Sequence, residues 1–240
     1  MSIFNRIFFV EIKTTIPTPK MAKNSYFSTF SPMYNVHTMA RQSLVYLKNR
    51  LIEGNLFMKR ILAVMGSPRR NGNTHILVSK IIEGARAKGA AVNELFLGEL
   101  TIHECDGCHA CWKGKECSKD DDMRAIYPAI IRSDVIIFGT PVYWYGPTAL
   151  MKAFIDRFVY FNCPGNRQKI KGLSAVLAVP FEEDDLEMAR GVVEFFQKSL
   201  AYLEIKLLGQ IIVPGVGEKG AILNKGQYLQ QAYDLGRELA

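Results

Sequence analysis

The chain has 240 residues, enough for one domain with a sizeable core, and its 48% hydrophobic share is ordinary for a globular protein. No apolar run approaches the length of a membrane helix, so no membrane span is expected. The formal charge is +7, but residues 1–57 carry seven Lys or Arg against Glu11 and Glu53, leaving the rest nearly balanced and giving nucleic-acid binding no support. Four of the five cysteines fall between 105 and 117. That clustering reads as a metal or redox site, not a disulfide scaffold, and the expected setting is cytoplasmic.

Residues 1–57 differ in character from the rest of the chain. Ile7 to Val10 could form a short strand, Thr14 to Phe30 is rich in Thr, Pro, Lys and Ser without period, and Met39 to Leu56 puts Leu44, Leu47, Leu51 and Ile52 on one helical face. The segment is basic and acid-poor, as a targeting peptide would be, yet its opening lacks the continuous apolar run of a secretory signal. We expect an N-terminal extension, partly disordered or packed on a partner subunit, ahead of a domain that starts near Met58.

From Lys59 the pattern becomes regular. Arg60 to Met65 is an apolar run suited to a strand buried on both faces. Gly66 to Asn73 makes a tight polar loop, and a helix continues to about Lys88 with Ile76, Leu77, Ile81, Ile82 and Ala85 inward, ended by Gly89. A second strand is expected at Ala91–Phe96, then a cysteine-bearing loop from about Gly98 to Lys119. One of Asp120, Asp121 or Asp122 caps the next helix, which runs through Met123, Ile126, Tyr127 and Ile130. Asp134–Gly139 is the third strand, Thr148–Phe158 a helix, Gly172–Val179 the fourth strand and Asp184–Leu200 a helix with Val192, Val193, Phe196 and Leu200 inward. Ile205–Ile212 and Gly226–Leu239 complete the series as strand and helix. The alternation predicts a five-stranded parallel α/β sheet in the order 2-1-3-4-5, with its ligand site at the carboxyl ends of strands one and three.

The loop after strand one is an inventory of anion ligands. It carries hydroxyls at Ser67 and Thr74, amides at Asn71 and Asn73, the backbone of Gly72, and guanidinium groups at Arg69 and Arg70. It opens a helix whose first amides are unpaired and whose dipole favours negative charge. The alternative is an ordinary capped turn. No Gly-Lys-Ser/Thr is present, which removes support for a nucleoside triphosphate, and Gly-x-Gly-x-x-Gly is not matched. A single terminal phosphate, as on a mononucleotide, fits better.

After strand three come Thr140, Pro141, Val142, Tyr143, Trp144, Tyr145, Gly146 and Pro147. Three aromatics at the end of a buried strand would suit a flat, amphipathic ring such as flavin, with backbone amides for its polar edge. They could also pack a loop or a subunit interface, and both roles are compatible. The cysteine loop reads C-x2-C-x2-C-x5-C through Cys105, Cys108, Cys111 and Cys117. Such spacing can wrap a cuboidal [4Fe–4S] cluster, with Lys113, Lys115 and Lys119 offsetting its negative charge. Zinc held by the four sulfurs, or with His103 or His109 substituting, is the rival ligand, and reduced cysteines lining a loop are the third reading. Cys163 is expected to be a bystander near the aromatic loop. His75 and His109 are not assigned catalytic roles.

Gly66 to Thr74, the cysteine motif ending in Asp121-Asp122-Met123, Thr140 to Gly146, and Met151 to Arg157 together resemble the NADPH-dependent FMN reductase family, and within it the iron–sulfur flavoproteins. The resemblance covers residues 58 to about 240. It implies a flavodoxin-like three-layer sandwich, FMN phosphate at the 67–74 loop, and the flavin ring beside 141–146. It further implies a homodimer or homotetramer, and [4Fe–4S] at Cys105, Cys108, Cys111 and Cys117. The function it implies is an FMN-dependent oxidoreductase passing electrons between flavin and cluster, with NAD(P)H or ferredoxin as donor. The alternatives are a cluster-free NAD(P)H-dependent FMN or quinone reductase, and a non-enzymatic flavin module with zinc or redox-sensing cysteines.

Overall fold

The computed structural model describes residues 58–240. The strand expected at 7–10, the helix at 39–56 and the extension as a whole lie outside the described residues. Five strands form one parallel sheet in the order β2-β1-β3-β4-β5. They are β1 (Arg60–Met65), β2 (Ala91–Phe96), β3 (Val135–Gly139), β4 (Ser174–Pro180) and β5 (Lys206–Val213). The helices are α1 (Asn73–Ala87), α2 (Met123–Ile131), α3 (Ala149–Asp156), α4 (Arg190–Tyr202) and α5 (Gly226–Glu238), with single-turn helices at Val159–Asn162 and Pro164–Arg167 between α3 and β4. The expected fold class and strand order hold. Among the described residues no helix is long and apolar enough to cross a membrane.

The alternation of side chains along each strand splits the core in two. Ile61, Ala63, Met65, Val135 and Ile137 pack with Leu77, Val78 and Ile81 of α1 and Ala232 of α5. Leu62, Val64, Ile136 and Phe138 point the other way, into α2, α3 and α4 through Ile126, Phe154 and Phe196. β1 and β3 are buried on both faces, which is why they read as unbroken apolar runs. β2 is an edge strand with much of its length exposed. On the first face two glycines set the helix spacing. A Cβ on Gly84 would lie 1.9 Å from Tyr233 O, and one on Gly236 would lie 2.0 Å from Ile81 O.

Several ends move by a residue or two. Thr148 is not the first residue of its helix but its N-cap, with Oγ1 accepting from Met151 N at 3.2 Å, an interaction typically worth about 1 kcal/mol. The helix expected from Asp184 begins as a 3-10 turn at Leu186–Ala189, with Asp185 accepting from Glu187 N, and becomes α-helical only at Arg190. Ile76 and Val193, both expected inward, are half-buried at the margins of the two cores.

Candidate functional site

β1 and β3 are register partners to their last residues, Met65 opposite Gly139, so the two loops beyond them leave the sheet side by side. Gly66 N donates to Gly139 O at 2.7 Å and draws the chains together there. Neither glycine has room for a side chain. A Cβ on Gly66 would sit 2.9 Å from Met151 Cβ, and one on Gly139 would sit 2.4 Å from Val78 Cγ2. Thr148 ties the loops again, its Oγ1 donating to Gly66 O at 2.6 Å.

Between these loops lies a polar cleft that opens to solvent. Ser67, Arg69, Gly72, Asn73 and Thr74 form one wall and Pro141, Val142 and Tyr143 the other. The ends of β4 and β5 close it with Pro180, Phe181, Glu182, Val216, Gly217 and Lys219. Sequence reasoning missed those last six. The signal available for them was position, because the carboxyl ends of all central strands of a parallel sheet converge on the ligand side. α1 starts after Gly72 with no side-chain cap and no acid in its first turn, and its first intrahelical bond is Ile76 N to Gly72 O. Among the described residues the amides of Asn73, Thr74 and His75 therefore remain as orphan donors at the positive end of the helix dipole.

The loop uses its side chains differently from the expectation. Arg70 is committed to Glu99, donating to both carboxylate oxygens, and its guanidinium carbon lies 3.9 Å from the centre of the Phe96 ring. Asn73 lines the cleft, but its side chain is spent: Nδ2 donates to Val216 O and Glu218 O at 2.7 and 2.8 Å, and Oδ1 accepts from Ile222 N at 3.2 Å. It ties the 216–222 loop to the start of α1, leaving its own backbone amide to face an anion. Asn71 is exposed, does not line the cleft, and holds a left-handed φ of 56°. Its N–H donates to His75 Nδ1 at 3.0 Å, which makes His75 a brace of the loop.

The aromatic loop folds as a tight turn. Tyr143 N donates to Gly146 O at 2.8 Å and Gly146 N to Tyr143 O at 3.0 Å, with Trp144 and Tyr145 at φ 47° and 61°. Two positive φ values in succession are the mark of a type I′ turn, normally built from Gly or Asn and costly for bulky residues. Of the expected ring contacts, Pro141, Val142 and Tyr143 reach the cleft. Trp144, Tyr145 and Gly146 do not. Trp144 is 95% exposed at the tip. Gly191 of α4 lets the turn approach, since a Cβ there would lie 2.2 Å from Tyr145 O.

The cysteine loop packs beside α2 and the segment that follows α3. Cys105, Cys108, Cys111 and Cys117 all line one small cavity, together with Asp106, His109, Lys119, Tyr127, Arg157 and Tyr160. Cys108 Sγ is 3.0 Å from Ser118 Oγ, and Arg157 Nη2 donates to Cys117 Sγ at 3.2 Å. Burial first, and Cys163 nearby, push the Cys111 thiol up. Cys163 is thus a neighbour of this cavity, and it is buried with Sγ donating to Tyr160 O. Lys119 is paired with Asp106 at 2.9 Å and holds that carboxyl at about 2. The buried cation at the sulfurs is Arg157, which the sequence placed only within a helix motif. Asp121, its partner, accepts from His103 N at 3.0 Å and Met123 N at 3.1 Å. Burial pushes the Asp121 carboxyl up, but Arg157 and these amides outweigh it and hold it below the ordinary range.

Residues 59–182, just over half of the chain, match the NADPH-dependent FMN reductase family. The chain belongs to that family. It is 32% identical over 113 residues to an iron-sulfur flavoprotein of Archaeoglobus fulgidus, a match covering 47% of this chain and 50% of the relative, so it spans about half of that protein's length. A second Archaeoglobus fulgidus iron-sulfur flavoprotein is 28% identical over 163 residues, covering 68% of this chain and 80% of the relative. Among solved structures, the NAD(P)H:quinone oxidoreductase from Methanothermobacter marburgensis superposes with a TM-score of 0.61 at 16% identity, covering 76% of this chain and all of the other, a likeness of fold.

The two donor sets can be tested against FMN, which the family's description carries, and against the metal group in the names of the iron-sulfur relatives. The orphan amides of residues 73–75, the Ser67 hydroxyl and the buried Thr74 form a compact set of donors suited to a phosphate monoester, and the apolar wall of Pro141, Val142 and Phe181 suits a ring. FMN fits. At the cysteine loop, no three His, Cys, Asp or Glu side chains among the described residues converge as a single metal ion would require. Tetrahedral zinc asks its sulfurs to meet around one point at about 2.3 Å. A cuboidal cluster is gripped at its corners by thiolates surrounding a space, and the four cysteines that line this cavity are of the type and number such a group takes.

Proposed function

We propose that residues 58–240 form an FMN-dependent oxidoreductase unit that passes electrons between FMN and a [4Fe–4S] cluster held by Cys105, Cys108, Cys111 and Cys117. The observation that carries this reading is one chain with both an uncapped phosphate-type helix N-terminus in a polar cleft and four thiols around a second cavity. When bound, FMN supplies hydride acceptance and single-electron exchange, and the cluster a one-electron store. The protein's own part is position and electrostatics. Ser67, Thr74 and the amides of 73–75 would hold the phosphate, with Arg69 adding charge at the rim and Gly72 letting the loop close. Pro141, Val142 and Tyr143 would bound the ring and exclude water from one side. No side chain in the cleft need act as a base.

NAD(P)H or ferredoxin would be the donor, in the cytoplasm, with a homodimer or homotetramer as the working form. Trp144 and Tyr145, 95% and 62% exposed on a strained turn, suit cover by a second subunit. The test is to purify the full chain without oxygen and measure flavin, iron and acid-labile sulfide per chain. One flavin with about four irons and four sulfides is the expected result; flavin without iron or sulfide would remove the cluster. The second reading, a cluster-free NAD(P)H-dependent reductase, draws support from the family match, whose description names NADPH and FMN alone. It predicts turnover with NAD(P)H that survives replacement of Cys108.

A further inference from the structure

Asp121 and Arg157 make a buried ion pair with side chains 0% and 1% exposed. Arg157 is the C-cap of α3, outside the cysteine loop, yet its guanidinium reaches three parts of it. Nη1 donates to His103 O at 2.8 Å and to Asp121 Oδ2, and Nη2 donates to Cys117 Sγ at 3.2 Å. One side chain thus holds His103 ahead of the first cysteine, the last cysteine, and Asp121 just before the N-cap of α2. Tyr127 stands alongside, its ring 6.0 Å from the guanidinium carbon and its hydroxyl donating to Arg157 O at 3.4 Å. A buried pair of this kind is rarely more stabilising than apolar residues of the same volume. Stability therefore does not account for a cation here, nor for an N–H spent on a sulfur.

We propose that Arg157 is the positioning residue of the cysteine loop: it fixes Cys117 through a hydrogen bond to the sulfur and sets a buried positive charge beside it, raising the reduction potential of the cluster the four cysteines hold. This rests on the cluster reading above and deepens it. Reduction adds one negative charge to the cluster, and a fixed cation in a low-dielectric site stabilises that charge. A hydrogen bond to a ligating sulfur draws electron density from it in the same direction. Cys105, Cys108 and Cys111 receive no such contact from Arg157, so the four ligands are unequal and Cys117 is the distinguished one. The Asp121-Asp122-Met123 and Met151–Arg157 motifs, far apart in sequence, meet at this ion pair and in the core behind it.

The experiment uses full-length protein reconstituted without oxygen, as wild type, Arg157→Gln, Arg157→Lys and Tyr127→Phe. Potentiometric titration follows the cluster spectrum, with the flavin potential in the same sample as control. Amide hydrogen exchange over residues 103–122 is measured on cluster-free protein. In Arg157→Gln the reduced-to-oxidised ratio of the cluster at fixed potential falls at least tenfold, about 59 mV for a one-electron couple, while the flavin does not move. Exchange across 103–122 quickens at least tenfold. Arg157→Lys, which keeps charge but loses the planar fork, falls between wild type and Gln in both readouts. An unmoved cluster potential in loaded Arg157→Gln overturns the tuning, and unchanged exchange overturns the positioning. Where Arg157→Gln does not fold, Arg157→Lys decides by the same two measurements, and values equal to wild type overturn the assignment. Wild-type protein that takes up no iron or sulfide defeats the cluster reading and the tuning with it; the exchange rates still decide whether Arg157 positions the loop. Tyr127→Phe removes one hydroxyl and leaves the guanidinium, so a shift as large as that of Arg157→Gln would move the role to Tyr127 and overturn the assignment to Arg157.

Discussion

The polar cleft and the cysteine loop are built by opposite means. The cleft is backbone: two strands buried on both faces, a helix N-terminus, and two glycines that let them meet. Its donors are fixed by sheet register, so little depends on any one side chain. The cysteine loop has one three-residue 3-10 turn, Cys111–Lys113, and reverses direction through Gly107, His109 and Gly114 at positive φ. It is mostly exposed and is held from outside, by Arg157 through Asp121 and Cys117, and by Asp122, whose Oδ2 accepts from Thr101 N at 2.7 Å. A site made of regular elements tolerates loss of single contacts. A site made of side-chain ties does not, and that difference can be tested by breaking each kind.

The largest effect is expected from Asp121→Asn. Removing one member of a buried pair leaves Arg157 uncompensated, a change that costs about 3–5 kcal/mol. Denaturant unfolding at neutral pH measures it. The folded Asp121 carboxyl lies below its ordinary value, so its stabilisation is present above about pH 4 and is lost as pH falls through the folded value. The gap between wild type and variant therefore closes in acid. A gap under about 1 kcal/mol at neutral pH, or one that stays constant into acid, would show that the loop does not depend on this tie.

The cleft is challenged through its backbone instead. Gly139→Ala puts a methyl 2.4 Å from Val78 Cγ2 and 3.1 Å from Thr74 Cγ2, against the first turns of α1. Relief requires the helix N-terminus to retreat, at about 1–3 kcal/mol for overpacking. Flavin affinity, followed by fluorescence titration, falls at least tenfold while iron content stays as in wild type. Flavin affinity unchanged alongside a normal melt would mean that the close approach of β3 and α1 does not set the phosphate site.

The same contrast explains what was legible in the sequence. The strand order and the cleft walls come from apolar runs, Gly punctuation and the rule that ligands bind at carboxyl ends, all local signals with one structural solution. Helix ends slipped where capping competes with continuation, as at Thr148 and Asp185. The uses of polar side chains were not legible. Arg70 and Asn73 belong to a loop that looks made for phosphate, yet their partners, Glu99, Val216, Glu218 and Ile222, come from elsewhere in the chain. Trp144 and Tyr145 were grouped with Tyr143 by proximity, but the turn that points them outward depends on φ values which residue type argues against. Arg157 was visible as part of a motif, while its contact with Cys117 spans 40 residues and no periodicity encodes it.

The smallest expected effect on stability is also the sharpest on function. Cys108 is exposed, and its sulfur lies 3.0 Å from Ser118 Oγ, close to the Asp106 carboxylate. Cys108→Ser keeps a polar group of similar reach, so the unfolding free energy changes by about 0.5 kcal/mol or less and the flavin remains bound. Iron and sulfide per chain fall to a minor fraction, because three thiolates remain where a cuboidal cluster asks for four. A fall in iron with stability and flavin intact separates a ligand from a structural cysteine. Iron retained in full would mean that the cluster is held by another set of sulfurs, with the buried Cys163 beside Cys111 as the first to substitute.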